Sequence, residues 1–387
     1  MKIGHVITRL IVGGAQENTV ATCIGLRKLG HEVDLVTGPQ TGPEGSLYER
    51  TRSAGVPIVT VDELRRALNP WHDVRASNAL VRLFRERRYD IVHTHSGKAG
   101  FIGRLAARWA QVPIIVHTIH GPSFYRYQNA LGNWLFKSAE QVAGSWTTQF
   151  VSVADAMTEQ YLAAGIGTPG RYVTIHSGMN TDAFVNARPD PKLRASLGLR
   201  DDDVVVGKVA RLFRLKGHEF LFEAAPRIVG AAPNVKFLLV GDGIYRKRFE
   251  RWAERMGMRD RFVFAGLVPP DEVPRYVALM DVLVHLSLRE GLPRTLPQAL
   301  ACGKPVVAFD VDGAREVCID GETGFLVRAE DVTGLAEAVI RLLQDKALAT
   351  RLGARGRELV KEEFAEALMV QKIEELYRRL SKERMLP

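Results

Sequence analysis

The stretch Glu290 to Gly303, EGLPRTLPQALACG, places a carboxylate directly after the apolar run DVLVHLSL, then a Gly-Leu-Pro turn, then helical spacing. Gly291, Leu292 and Pro293 form the turn, and Thr295 and Leu296 fall in the first helical turn, where backbone amides unpaired by the helix can hold phosphate. Gln298 lies four residues after Arg294 and is placed to reach a ribose, with Pro297 tolerated because it sits in the first turn. Glu290 and Gln298 are therefore expected to bracket a ligand with a sugar at one end and a nucleoside at the other.

Three further segments offer matching chemistry. In VGKVARLFRLKGHEF, Arg211 stands just past a strand and Lys216 five residues on, before Gly217 opens a helix, which suits two cations projecting at a diphosphate. The first strand runs into Gly13 and Gly14 at a helix start, where backbone amides can approach an anion; a plain strand-to-helix turn explains the pair equally. In FVFAGLVPPDEV, Gly266 ends a strand and Leu267 begins a loop whose exposed backbone offers a rim for a planar base, or simply a turn.

The histidines divide. His93 and His95 end a strand in YDIVHTHSGKAG, where buried histidine bonded to backbone competes with contact to an acceptor, and Lys98 ranks above both for an anionic acceptor. His117 alternates with Ile119 and reads as structural, whereas His120 at the strand tip before Gly121 is the functional choice.

These groups need a scaffold that collects strand ends. MKIGHVI, HEVDLVT, VPIVTV, YDIVHTH, VPIIVHTIH, QFVSVA and RYVTIH read as buried strands, alternating with helices at Gln16 to Leu29, Asn78 to Arg88, Gly100 to Trp109 and Asp155 to Ala164. A second series, VVVGKVA, KFLLVG, FVFAG, DVLVHLS, KPVVAFD and GFLV, alternates with helices beginning at Gly217, Tyr245, Glu272, Thr295, Ala314 and Thr333. The pattern predicts an α/β chain of two doubly wound, Rossmann-like parallel-sheet domains, residues 1–178 and 182–361, facing across a ligand-binding cleft. Thr174 to Phe184, TIHSGMNTDAF, is the expected crossover and hinge.

Composition sets outer bounds. Of 387 residues, 46% are hydrophobic and 25% charged, with no apolar run of the ~18 residues that a membrane span needs. The start reads as a strand without a secretory signal, and three widely spaced cysteines, Cys23, Cys302 and Cys318, argue against a disulfide framework or zinc site and fit a reducing cytoplasm. The acidic run Asp201-Asp202-Asp203 precedes a strand in a charged loop, so no metal is expected there. The net charge is +9, and up to Asn180 there are 19 Lys/Arg against 13 Asp/Glu. No stacking-aromatic or zinc-finger pattern supports nucleic acid as the partner. The segment Gly121 to Gln141 mixes Phe124, Tyr125, Trp134 and Leu135 with Arg126 and Lys137, a composition that suits either a bilayer surface or a buried helix with a mobile loop.

Taken in order, GGAQ, TIHG at Thr118 to Gly121, SGMNTDAF, ARLFRLKG, LVGDG, FAG and REGLPRTLPQALACGKPVVAFDVDGAREV make the whole chain resemble the retaining GT-B glycosyltransferases of family four. The resemblance implies that Gly14 contacts donor phosphate or acceptor, His120 faces the donor sugar, Arg211 and Lys216 hold the diphosphate, and Glu290 with Gly291 to Pro293 contacts the transferred sugar. It also implies that the C-terminal helix, 362–387, crosses back onto the N-terminal, acceptor-side domain. The implied reaction moves a hexose or N-acetylhexosamine, most readily from a uridine nucleotide-sugar, to a glycan or lipid-linked acceptor. With Arg211 and Lys216 already at the diphosphate no metal or other cofactor is expected, and the expected location is the cytoplasm, either free or peripheral on the inner face of the cell membrane. Gln298 departs from the family's usual glutamate, and Ser177 and Asn180 depart from its usual hinge. A sugar-nucleotide epimerase of the same fold, or an inactive scaffold, are the alternative readings.

Overall fold

The Val- and Ile-rich runs become strands in the computed structural model, which describes residues 1–40 and 45–384. The first sheet contains β1 (Lys2–Ile7), β2 (Glu32–Thr37), β3 (Ile58–Thr60), β4 (Ile91–His95), β5 (Ile114–Ile119), β6 (Gln149–Ser152) and β7 (Tyr172–Thr174). The second contains β8 (Val204–Val209), β9 (Val235–Val240), β10 (Phe262–Gly266), β11 (Val282–His285), β12 (Val306–Phe309) and β13 (Gly324–Val327). Neighbouring strands within each sheet are parallel, in the orders β3-β2-β1-β4-β5-β6-β7 and β10-β9-β8-β11-β12-β13. Parallel strands need both faces covered, which is why they read as continuous apolar runs. In each sheet the winding reverses once, between β1 and β4 and between β8 and β11, and the carboxyl ends beside such a reversal are where open α/β sheets bind ligands.

The chain forms two units, one from Met1–Met179 with the C-terminal helix Glu366–Glu383, the other from Asn180–Ala365. In the first, the helices Gly14–Lys28 and Glu366–Glu383 cover the same face of the sheet, with Met369, Val370, Ile373, Leu376, Tyr377 and Leu380 joining the core around Ile3, Ile7 and Leu26. They approach closely because Gly25 has no side chain: a Cβ there would collide with Val370. The last residues of the expected helix, 385–387, lie outside the described residues. On the opposite face, the helix Ala130–Trp146 is joined to the helix Gly97–Trp109 by a buried ion pair, Arg104 Nη2 to Glu140 Oε2 at 2.6 Å, whose second carboxylate oxygen accepts from Ser123 Oγ at 2.8 Å. A buried pair is fragile to the loss of one partner, which leaves the other charge stranded at a cost of about 3–5 kcal/mol.

Several elements differ from expectation, among them the short helices Tyr48–Ser53, Thr181–Val185 and Pro191–Ser196, which were not anticipated. The expected helix Ala314 to Val317 is instead the end of a 3-10 turn, Asp312–Glu316, with Val317 just past it, too short to close an α-helical ladder. The helix Lys346–Glu363, not anticipated, carries Gly353 and Gly356, which weaken helical signal. Those glycines serve packing: a Cβ at Gly353 would meet the Gly303 carbonyl, and one at Gly356 would meet Leu300. Asp203, the last of the acidic run, is buried and accepts the Arg200 amide at 2.7 Å, closing a local turn.

Candidate active site

In the second unit, the loop after β8 and the loop after β11 are tied together by the Leu288 amide donating to the Leu215 carbonyl at 2.9 Å. Gly217 takes φ 65° and presses on the Leu286 carbonyl so closely that a side chain is excluded. This juxtaposition brings Lys216 Nζ to 2.5 Å from Glu290 Oε1, each side chain about a fifth to a quarter exposed. The sequence assigns these residues to opposite parts of one ligand; the fold makes them a charge pair. His285, from the end of β11, places Nε2 3.7 Å from the same carboxylate oxygen and Nδ1 3.1 Å from Thr295 Oγ1. Burial works against the Glu290 charge, but the attraction of Lys216 and His285 outweighs it and holds the carboxyl down to about 2. Glu290 is therefore an anion at any working pH.

The turn that carries Glu290 is fixed from behind. Asp312 Oδ2 accepts the Glu290 amide at 2.6 Å, and the Gly313 amide donates to the Gly291 carbonyl at 3.0 Å. Leu292 and Leu296 are buried and Gly291 and Pro293 are covered, so these residues can offer a ligand only backbone. One expectation fails here: the Leu296 amide already donates to the Pro293 carbonyl at 3.2 Å, and the Gln298 amide to the Arg294 carbonyl at 3.2 Å. Pro297 has no amide, so in this first turn the Thr295 amide is the remaining candidate for phosphate. The Gln298 side chain is half-buried. Arg211 is exposed, with its guanidinium 5.1 Å from the Phe213 ring centre. Gly266 ends β10 with φ 77° and its carbonyl accepts the Gly241 amide at 2.8 Å, while Leu267 beside it is exposed.

Sequence reasoning missed Lys208. It lies fully buried in β8, and its ammonium has no hydrogen-bond partner among the described residues. Burial, with the nearby Lys216 charge, pushes its pKa down to about 7, only partly opposed by Glu219 and Glu290. Its signal was a lone cation inside the apolar run VVVGKVA. Asp312 was missed as well, because its role depends on a contact 22 positions away in the chain.

In the first unit, Gly13 caps the helix Gly14–Lys28 in extended conformation, accepting the Glu17 amide at 2.9 Å, and Gly14 is exposed. His120 stands past the end of β5, half-buried, with Nε2 3.0 Å from His95 Nδ1. Two acceptor-side expectations are corrected. His95 is buried between other histidine rings rather than open to an acceptor. Lys98 Nζ lies 2.5 Å from Asp73 Oδ1 and donates to the Ala67 carbonyl, so its charge is spent within the unit, fastening the helix Gly97–Trp109 to the start of the helix Pro70–Arg87. Neither Lys98 partner was legible, since both lie about 25 to 31 positions earlier, Asp73 in the helix Pro70–Arg87 and Ala67 in the loop before it.

Residues 189–359 match the family model for glycosyl transferases group 1, and residues 13–178 match that for a glycosyl transferase 4-like domain. Over 75% of its length the chain is 31% identical to the putative glycosyltransferase EpsD of Bacillus subtilis (strain 168), covering 76% of that protein. The chain belongs to the group 1 glycosyltransferases. It is also 28% identical, over 97% of its length and 96% of the relative's, to the Escherichia coli UDP-Gal:alpha-D-GlcNAc-diphosphoundecaprenol alpha-1,3-galactosyltransferase. The Anabaena protein HepE, crystallised with UDP and glucose, shares its fold with a TM-score of 0.84 at 22% identity, over 98% of this chain and 99% of that one. This group 1 glycosyltransferase thus has the GT-B fold, with two parallel-sheet α/β domains.

Proposed function

We propose that the protein is a retaining glycosyltransferase that moves a hexose or N-acetylhexosamine from a UDP-sugar to a lipid-linked or glycan acceptor in cell-surface polysaccharide synthesis, without a metal ion. The observation that carries this reading is the Lys216–Glu290 pair at the winding reversal of the second sheet, with Arg211 on the same loop. Breaking an anomeric carbon–phosphate bond builds negative charge on the leaving diphosphate and positive charge on the sugar ring. A lysine paired to a carboxylate in the resting site meets both demands: the ammonium turns toward the phosphate as its charge grows, and the carboxylate faces the ring. Arg211 and the Thr295 amide add to the phosphate side, and Gln298 supplies one acceptor and two donors for ribose hydroxyls. The donor and acceptor classes take support from the names of the Escherichia coli relative and of the HepE complex.

The test is donor binding followed by turnover. A UDP-sugar at about 100 times its dissociation constant should stabilise the fold by ~2.7 kcal/mol in thermal unfolding, and transfer should survive a strong chelator. Chelation that abolishes transfer, restored by magnesium or manganese, would defeat the charge-pair mechanism. Interconversion of free donor with no acceptor present would instead favour the epimerase.

Among the described residues, no helix is long and apolar enough to cross a membrane. The helix Ala130–Trp146 nonetheless exposes Leu131, Trp134 and Leu135 on one face, near Arg126 and Lys137, and buries Glu140, Ala143 and Gly144 on the other. We read the exposed face as a peripheral contact with an anionic bilayer. Trp134→Ser with Leu131→Ser should reduce co-flotation with phosphatidylglycerol vesicles at least several-fold while leaving the melting temperature in place; undiminished flotation would discard this contact.

A further inference from the structure

The first unit holds a run of polar groups that the reaction above does not use. His5, His93 and His95 are buried on adjacent strands β1 and β4, and Tyr377 reaches them from the C-terminal helix. His120 Nε2 lies 3.0 Å from His95 Nδ1, and His95 Nε2 lies 2.9 Å from His5 Nδ1. His5 Nε2 lies 3.3 Å from the Tyr377 hydroxyl, which is 2.5 Å from His93 Nδ1, and His93 Nε2 lies 2.6 Å from Thr118 Oγ1. Every ring nitrogen of His5, His93 and His95 is thus engaged, including those that a metal ion would take.

We infer that Thr118, His93, Tyr377, His5, His95 and His120 form one ordered hydrogen-bond chain that sets which ring nitrogen of His120 carries its proton. A neutral imidazole has one N–H and one bare nitrogen, so a ring bonded at both must donate on one side and accept on the other. The buried Tyr377 hydroxyl has one proton and, among the described residues, only the His5 and His93 rings to bond, so it satisfies that proton by donating to one ring and accepting from the other. The direction of one bond therefore fixes all of them, and the chain has two polarities. In the first, His120 Nε2–H donates to His95, and the direction runs through His5 and Tyr377 to His93 Nε2–H donating to Thr118. In the second, Thr118 donates to His93 and every bond reverses, so His95 Nδ1–H donates to His120 Nε2. The four histidines are all Nε2–H in the first polarity and all Nδ1–H in the second. Burial supports the premise of neutrality for the three interior rings, since it lowers His5 to about 3 and His93 and His95 well below the ordinary histidine range. His95, His5, His93 and Tyr377 are positioning residues: they act on the sugar only through His120, and only that last step rests on the proposed glycosyltransferase reaction, with His120 facing the donor sugar as the family resemblance implies.

The test is nitrogen NMR on the full chain labelled with 15N-histidine. The wild type should show His5, His93, His95 and His120 in one shared tautomer, and Tyr377→Phe, which keeps the ring and removes the link, should uncouple His93 from the other three, which stay bonded to one another. Mixed tautomers among the four in the wild type would overturn the inference, and so would stoichiometric zinc retained through purification. That measurement needs no variant, so a Tyr377→Phe chain that failed to fold would not rescue the idea. In a folded Tyr377→Phe enzyme, turnover should fall about tenfold with the donor Michaelis constant unchanged. Lost sharing with full turnover would leave the chain of hydrogen bonds standing and remove His120 from the reaction.

Discussion

Glu290→Gln should lower kcat by about two to three orders of magnitude while changing the Michaelis constant for the donor by less than about threefold, the pattern of an interaction made in the transition state. The substitution keeps size and can still accept a hydrogen bond from Lys216, whose Nζ lies 2.5 Å from the native carboxylate. Under the proposed mechanism, what it removes is the negative charge facing a ring that becomes positive as the glycosyl bond breaks. Because the Glu290 carboxyl is held down to about 2, its folded pKa lies below its unfolded value, so its share of stability is full above the ordinary glutamate range and is lost as pH falls toward 2. Turnover in the wild type should accordingly show no acid limb from this group above about pH 3. Steady-state kinetics across donor concentrations checks both statements. A raised Michaelis constant with kcat unchanged, and the fold intact, would place Glu290 in ground-state binding instead.

Lys208→Met is expected to stabilise the protein. The native amine is buried, unpartnered among the described residues, and has a pKa near 7 instead of 10.5. The folded state therefore prefers the neutral amine. Above about pH 10.5 lysine is neutral folded or unfolded and the burial costs nothing through ionisation; the cost grows as pH falls and is complete below about 7. A shift of that size corresponds to a few kcal/mol, so the variant should gain on the order of 3–5 kcal/mol at pH 6 and much less at pH 10. Chemical denaturation at the two pH values measures the difference. The charge of Lys208 is felt by Lys216 and Glu290, so the same variant should lose turnover, the trade expected where a costly group is kept for the site. An equal gain at both pH values would mean that folding leaves the amine's pKa unshifted and that packing alone accounts for the change.

The parts of the fold set by local pattern were legible. Val- and Ile-rich runs gave the strands of both sheets, and ARLFRLKG and EGLPRTLP fell at strand ends because turn chemistry is written in neighbouring residues. The parts set by contact across the chain were not. Lys98 looks available in HSGKAG until Asp73 arrives from another helix. The amide of Leu296 looks open until the Pro293 carbonyl turns toward it. Tyr377 reads as one more apolar position on an amphipathic helix, and only the packing of that helix beside β1 and β4 brings its hydroxyl to His5 and His93. Each of His5, Lys208 and His285 was nonetheless visible in a weaker form, as a single titratable residue inside a run that a parallel sheet buries on both faces.

The most direct test of the account is the configuration of the product. The purified enzyme should be given an α-linked UDP-sugar and a lipid-linked N-acetylglucosamine acceptor with a strong chelator present, and the anomeric proton of the new linkage followed by NMR from the first turnovers. The account predicts an α-linked product formed under chelation; a β-linked product, or none until a divalent metal is restored, would contradict it.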